Sequence, residues 1–355
     1  LRKHNFSSGP AQLPLSVLQE MEVAVHSYKG SGISILEMSH RSVQFKEILD
    51  ETRSLLREQL GLSDDFEILL LHGGASSQFN MIPFNLLREN GRAGFIDTGR
   101  WSEKAMREAA NFGRAELLAS SKEVRYTKLP RIAEIDASYD YVHITTNNTI
   151  YGTQFAHLPE SQSPIVADMT SDILSRSFNY GHLDLFYASA QKNLGCTGIT
   201  LVAFKTGVLG KVDRKIPEML DYKVHLSMDS IYNTMPAASV YCCLLMLRWL
   251  QKEGGVEAIE ERNILKAKLL YDELDRNALF ECKVEGGDRS KMNVCFSCLE
   301  GREKAFLSYC EQRKIMGLEG HRTVGGLRAS IYNAMPLSSV EHLVETLVLF
   351  EARGQ

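Results

Sequence analysis

The chain has 355 residues, 44% hydrophobic and 24% charged, close to globular averages and enough for one large domain or two ordinary ones. Its formal net charge of −4 excludes a global basic footprint for nucleic acid, so an anionic ligand would have to be met by local basic residues. No charged-then-apolar leader and no apolar run of membrane-spanning length is read in it, and the seven scattered cysteines, two of them adjacent at Cys242 and Cys243, lack metal-ligand or regular disulfide spacing, so reduced thiols, no metal and a cytoplasmic setting are expected.

In chain order, Asn5 to Pro14 is an arm rich in turn formers. Leu18, Met21 and Val25 are spaced as in a helix over Leu15 to Tyr28, which Gly30-Ser-Gly32 ends. Ile35 to Met38 is expected to be a short extended piece ending at Ser39-His40-Arg41-Ser42. A helix follows with Phe45, Ile48, Leu49, Thr52, Leu55, Leu56 and Leu60 on one broad face, stopped by Gly61. Phe66 to Leu71 reads as a buried strand that runs into His72-Gly-Gly-Ala-Ser-Ser-Gln78 and then a helix from Phe79. A strand, a glycine-rich turn and a helix N-terminus form a physical anion site, because free N–H groups and the helix dipole favour a phosphate. Many turns of this kind bind nothing, so this one carries weight only in combination.

Ala93 to Asp97 is the next strand, followed by Thr98-Gly-Arg-Trp101 and a helix through Ala110. A tryptophan there could stack on a heteroaromatic ring or simply pack. Tyr141 to Thr146, Ile165 to Asp168, Leu183 to Ala188 and Ile199 to Phe204 bring the strands to at least six. Helical stretches between several of them imply a largely parallel sheet covered on both faces. Beyond Phe204 come the loop Ser230 to Pro236, a long apolar helix from Ala237 to Gln251, and the break Gly254-Gly255. A charged amphipathic helix over Val256 to Asn277 leads into strand-like Phe280 to Val284 and Met292 to Ser297. A helix near Glu303 to Gln312, strand-like Gly326 to Tyr332 and a final helix from Ser338 complete a small α+β lobe.

The chemistry centres on Lys192, in the stretch Ala190-Gln-Lys-Asn-Leu-Gly195 after one strand, and on Asp168 at the end of another. An amine and a carboxylate at the C-terminal ends of two such strands meet where open α/β sheets bind ligands. That pair suits pyridoxal phosphate: the lysine forms a Schiff base with the aldehyde, and the carboxylate keeps the ring nitrogen protonated. Taken singly, a lysine before a glycine-rich turn or an aspartate after a strand is ordinary turn chemistry.

Nine stretches, in this order, make the chain resemble the phosphoserine aminotransferase family of class-V, fold-type-I pyridoxal phosphate aminotransferases over nearly its whole length. They are Asn5 to Ala11, Met38 to Ser42, Gly73 to Gln78, Thr98 to Trp101, Asn148 to Gly152, Ala167 to Ser175, Ala190 to Gly195, Tyr232 to Pro236 and Gly325 to Ser330. The resemblance implies a large cofactor-binding α/β domain over 15–253 with a mostly parallel seven-stranded sheet between helices. A small α+β C-terminal domain over 254–355 and an N-terminal arm over 1–14 would complete it. It also implies reversible amino transfer between L-glutamate and 3-phosphohydroxypyruvate in serine biosynthesis. Whether 4-phosphohydroxythreonine of pyridoxine biosynthesis is a further substrate stays open.

The implied roles follow position by position. Lys192 and Asp168 are catalytic. Trp101 stacks on the ring, Thr149 lies beside its oxygen side, and Ala75, Ser76 and Gln191 bind the cofactor phosphate. Asn233 and Thr234 reach that phosphate from the other subunit of a homodimer with shared active sites. Arg328 takes the substrate α-carboxylate, while His40, Arg41, His321 and Arg322 take its distal anionic group. The chain departs from the family pattern at Met235, where proline is frequent, and at His72, which opens the glycine-rich turn. A nucleotide-dependent oxidoreductase would want a G-x-G-x-x-G turn, which is absent. A scaffold relative should have lost the lysine or the acid, and a cysteine desulfurase would need a reactive cysteine in a mobile loop.

Overall fold

The computed structural model describes residues 2–353. The N-terminal arm holds a two-residue strand, β1 (His4–Asn5), and is followed by α1 (Leu15–His26) and α2 (Val43–Leu60). Then come β2 (Phe66–Leu71), α3 (Gly74–Leu86), β3 (Arg92–Asp97), α4 (Arg100–Ala109) and β4 (Arg114–Ser120). Four strands follow with no α-helix between them: β5 (Tyr141–Thr145), β6 (Ile165–Asp168), β7 (Leu185–Ser189) and β8 (Thr200–Lys205). The rest is α5 (Tyr222–Ser227), α6 (Ala237–Lys252), α7 (Gly255–Arg276), β9 (Phe280–Glu281), β10 (Asn293–Cys298), α8 (Glu303–Gln312), β11 (Ile315–Met316), β12 (Leu327–Ser330) and α9 (Leu337–Ala352).

Seven strands form the central sheet in the order β2-β8-β7-β6-β5-β3-β4. The β7-β6, β6-β5, β5-β3 and β3-β4 pairs are parallel, while β8 runs antiparallel to both of its neighbours. Strands β5 to β7 are buried along their whole length, as continuous apolar runs in a two-faced sheet should be. One face packs on α1, α2 and α6 through residues such as Phe45, Leu56, Phe186, Leu201 and Leu244. The other packs on α3 and α4 through Phe79, Ile82, Phe95, Tyr187 and Phe204. Each fully buried side chain of this size contributes roughly 1.5–3 kcal/mol of transfer free energy. A third cluster joins Phe6 of the arm to α7, α8, α9, β10 and β12. Helix α7 serves two cores: Ile259 packs with the central sheet, and Ala267, Leu270 and Leu274 pack with the C-terminal strands.

Several local expectations change. Ile35 to Glu37 is a turn rather than an extended piece, because Ser34 Oγ accepts from Leu36 N at 3.1 Å and the Glu37 carboxylate accepts from Ser34 N at 3.2 Å. Helix α3 begins at Gly74, five residues before the expected Phe79, so the helix N-terminus itself faces the sheet edge. β4 completes the seven strands at an edge that patterning missed. Phe280 to Val284 is a strand only at Phe280–Glu281. The arm pairs, β1 lying parallel to β11. Among the described residues no helix is long and apolar enough to cross a membrane.

Candidate active site

A cavity of about 280 Å³ opens at the C-terminal edge of the parallel strands. Asp168 closes β6, and Lys192 stands in the turn after β7. β6 and β7 are hydrogen-bonded neighbours, so the strand ends alone bring the two residues to one cavity wall. Burial pushes the Asp168 carboxyl up, opposed by donation from Thr170, whose N–H lies 2.9 Å from Oδ1, and by the charge of Lys192. Burial also pulls the Lys192 ammonium down to about 8, with Asp168 opposing the shift and Arg328 adding to it. A lysine so placed is partly neutral near pH 8, the form that acts as nucleophile or base. The arm covers this corner: Ser8 and Gly9 line the cavity, and Ala11 N–H donates to the Gln191 carbonyl at 2.8 Å. Gly9 has φ +146°, and a side chain there would touch the Lys192 methylenes at 3.7 Å.

At one end stands the N-terminus of α3. Gly73 and Gly74, with φ +89° and +67°, turn the chain sharply from β2 into the helix. Gly74, Ala75 and Ser76 then line the cavity. The Ala75 N–H donates to Ser189 Oγ at 2.6 Å, and Lys104 Nζ donates to Ser76 Oγ at 3.3 Å. Helix dipole, hydroxyls and lysine together favour an anion here. Gln191 completes this wall.

At the other end is Arg328, on β12 and only 9% exposed. Its guanidinium donates to the Thr149 carbonyl at 2.8 Å and to Ser8 Oγ at 2.7 Å, while its buried Nε has no partner. Thr149 Oγ1 accepts from the Trp101 indole at 3.4 Å, so the loop after β5 joins the arginine to the tryptophan that opens α4. His321 also lines the cavity, with Nδ1 2.7 Å from Thr323 Oγ1. Burial and the charges of Arg100, Arg328 and Arg322 lower its pKa.

Of the expected residues, Ala75, Ser76, Trp101, Thr149, Asp168, Gln191, Lys192, His321 and Arg328 therefore converge on one cavity. His40, Arg41, Asn233, Thr234 and Arg322 do not line it within a single chain. Arg41, Thr234 and Arg322 are exposed, and Asn233 Oδ1 is buried without a partner. Patterning missed Thr145, Asn147, Thr170, Ser171 and Ser189, which also line the cavity. Thr170 and Ser171 stand two and three residues after Asp168, and Ser189 ends the strand before Lys192; those positions were the available signal.

A family model described as aminotransferase class-V matches residues 3–343. Curated phosphoserine aminotransferases of Flavobacterium johnsoniae and Bacillus cereus are 48% and 47% identical, covering 99% and 100% of this chain and 100% and 99% of their own. Among solved structures, the phosphoserine aminotransferase of Bacillus circulans subsp. alkalophilus superposes with a TM-score of 0.96 at 39% identity, covering 100% of this chain and 99% of that one. The pyridoxal phosphate-bound phosphoserine aminotransferase of Trichomonas vaginalis gives 0.92 at 32% identity, covering 98% of this chain and 100% of its own.

Proposed function

The chain belongs to the aminotransferase class-V family, and from that membership we propose that it moves an amino group reversibly between L-glutamate and 3-phosphohydroxypyruvate. The products are O-phospho-L-serine and 2-oxoglutarate, which places the reaction in serine biosynthesis, with pyridoxal 5'-phosphate as cofactor. The observation that carries this reading is the convergence of Lys192, Asp168, the α3 N-terminus and Arg328 on one cavity. The residues fit the cofactor: an amine of lowered pKa, a buried carboxylate, an N–H cradle, and buried polar atoms without partners at Thr145 Oγ1 and Arg328 Nε.

The cofactor, when bound, supplies an electron sink for the carbanion formed at the substrate α-carbon. Lys192 would hold the cofactor covalently, and its Nζ would take and return the substrate α-proton. Asp168 pairs with the ring nitrogen; a cation beside it favours the ionised carboxylate against the cost of burial. Gly74 to Ser76 and Gln191 hold the cofactor phosphate, Trp101 covers the ring, and Thr149 keeps the Trp101 indole in place. Arg328 has spare donors beyond the two it uses within the chain, and a planar fork suits the α-carboxylate.

The remaining contacts come from a second copy of the chain. Leu15, Val23, Leu36 and Val43 are 59%, 66%, 68% and 73% exposed, an apolar face on α1, the segment before α2 and the start of α2. His40 and Arg41 lie within that segment, so a second copy covering this face would receive them. Asn233 and Thr234 reach the cofactor phosphate in the same way, and His321 with Arg322 and Arg41 serves the distal phosphate or γ-carboxylate. The two-domain division at 253/254 and a cytoplasmic setting, in keeping with seven free cysteines, belong to the same proposal. Visible absorbance on reconstitution with pyridoxal phosphate, together with glutamate-dependent amination of the phosphorylated keto acid, tests it; a colourless protein would end it.

A further inference from the structure

Behind the cavity, Asp168 does not stand alone. The β6-β7 register sets Asp168 beside Tyr187, and the β5-β6 register sets Thr145 beside Asp168 and His143 one step earlier on the same face. Tyr187 and His143 are 0% and 2% exposed. The Tyr187 hydroxyl lies 2.9 Å from His143 Nε2, and burial together with the neighbouring Asp168 charge pushes its pKa up. The imidazole stacks on Phe95 at 5.5 Å, and its Nδ1 is buried with no partner.

This arrangement selects one tautomer. Burial pushes His143 down to about 3, so the ring is neutral and carries one N–H. With the proton on Nδ1, an N–H would be orphaned in the core, and Nε2 would draw the tyrosine proton away from Asp168. With the proton on Nε2, only a lone pair is orphaned, the lesser defect. Nε2–H then donates to the Tyr187 oxygen, which frees the phenol O–H to donate to the carboxylate.

We propose that His143 and Tyr187 are positioning residues that aim a fixed hydrogen-bond donor at Asp168 from inside the sheet and hold it ionised toward the cofactor. The proposal rests on the reading of Asp168 as the partner of the ring nitrogen. Thr170 supplies one donor from the cavity side, and the Tyr187 hydroxyl, set beside Asp168 by the strand register, would supply the second from the core. Neither residue touches substrate or cofactor; both act through Asp168.

The test uses ¹⁵N-labelled wild-type holoenzyme, in which His143 should show a neutral ring protonated at Nε2 across neutral pH; an Nδ1–H ring or an imidazolium would overturn the proposal. Equilibrium release of pyridoxal phosphate is then compared among variants. Tyr187→Phe and His143→Leu should each weaken retention and lower kcat by about 10- to 100-fold, the worth of one hydrogen bond to a charge, with KM for glutamate little moved. His143→Gln, whose amide Nε2–H can take the place of the ring N–H, should recover most of the loss. Asp168→Asn separates the two levels of the argument. If Asp168→Asn is damaged while Tyr187→Phe is not, the relay falls and the reading of Asp168 stands. If Asp168→Asn retains cofactor normally, the reading of Asp168 falls. Tyr187→Phe and the wild-type spectrum decide the matter even if His143→Leu does not fold.

Discussion

Arg328 donates to the Thr149 carbonyl at 2.8 Å, tying the last strand of the chain to the loop that follows β5. Thr149 Oγ1 in turn accepts from the Trp101 indole, so the residue proposed for the substrate carboxylate is linked to the tryptophan proposed to cover the ring. Arg328→Ala should lower kcat/KM for glutamate and for the phosphorylated keto acid alike. The loss should be roughly 30-fold or more, as expected when one partner of a desolvated charge pair is removed. Arg328→Lys should recover only part of it, since an ammonium lacks the planar fork. Steady-state kinetics with both substrates check this.

Selectivity should sit elsewhere. Arg322→Ala and Arg41→Ala should damage the phosphorylated keto acid more than glutamate, because a phosphate dianion carries more charge than a carboxylate. Removing one such partner costs about 2–5 kcal/mol at a desolvated site. The His321 pKa, lowered by burial and by the Arg100, Arg328 and Arg322 charges, should rise when a phosphate binds. Phosphate binding should therefore take up a proton on the acid side of neutrality, measurable by titration calorimetry in buffers of different ionisation enthalpy.

Lys192→Ala should abolish the visible absorbance of the reconstituted protein and essentially all turnover while circular dichroism stays native. Burial pulls the Lys192 amine down to about 8, so covalent reconstitution should accelerate as pH rises and level off beyond that value. Asp168→Asn removes the charge that opposes this shift and should move the midpoint lower. A rate still rising toward the pKa of an ordinary lysine would contradict the assigned environment.

Assembly has its own test. Neither Lys192→Ala nor an Asn233/Thr234 double variant should be active alone. Mixed under conditions that exchange subunits, they should regain part of the activity, because one hybrid site has an intact lysine and intact phosphate contacts. No recovery would mean that Asn233 and Thr234 do not act across subunits.

Lys266 makes a stability prediction. It is 1% exposed on α7 and donates to the carbonyls of Ile331, Tyr332 and Met335, just beyond the strand that bears Arg328. Lys266→Met should destabilise the protein by about 1–3 kcal/mol, since it leaves buried carbonyls unpaired. Urea unfolding measures it.

The buried strands were legible because β2, β3 and β5 to β8 are short apolar runs ended by polar turns. β4 was not, since its Arg114-to-Ser120 run lies at an edge and is only partly covered, so neither strict alternation nor a continuous apolar run marks it. Ile35 to Met38 misled because local hydrogen bonds accepted by Ser34 Oγ and the Glu37 carboxylate outweigh a weak extended preference. In the site, Lys192 and Asp168 stood out by their places after strands, whereas Ser8, Thr170 and Ser189 act through single hydroxyls or N–H groups that leave no periodic trace. His143 and Tyr187 read as ordinary strand residues, and only the register between β5, β6 and β7 brings them to Asp168.

The central claim is that this cavity transfers an amino group to a phosphorylated keto acid. The direct measurement is kcat/KM for 3-phosphohydroxypyruvate and for unphosphorylated hydroxypyruvate, with L-glutamate as donor and pyridoxal phosphate present. The account predicts a preference for the phosphorylated substrate of roughly 30-fold or more, the worth of a desolvated charge contact, collapsing in Arg322→Ala. Equal use of the two keto acids, or no transfer from glutamate to either, would contradict it.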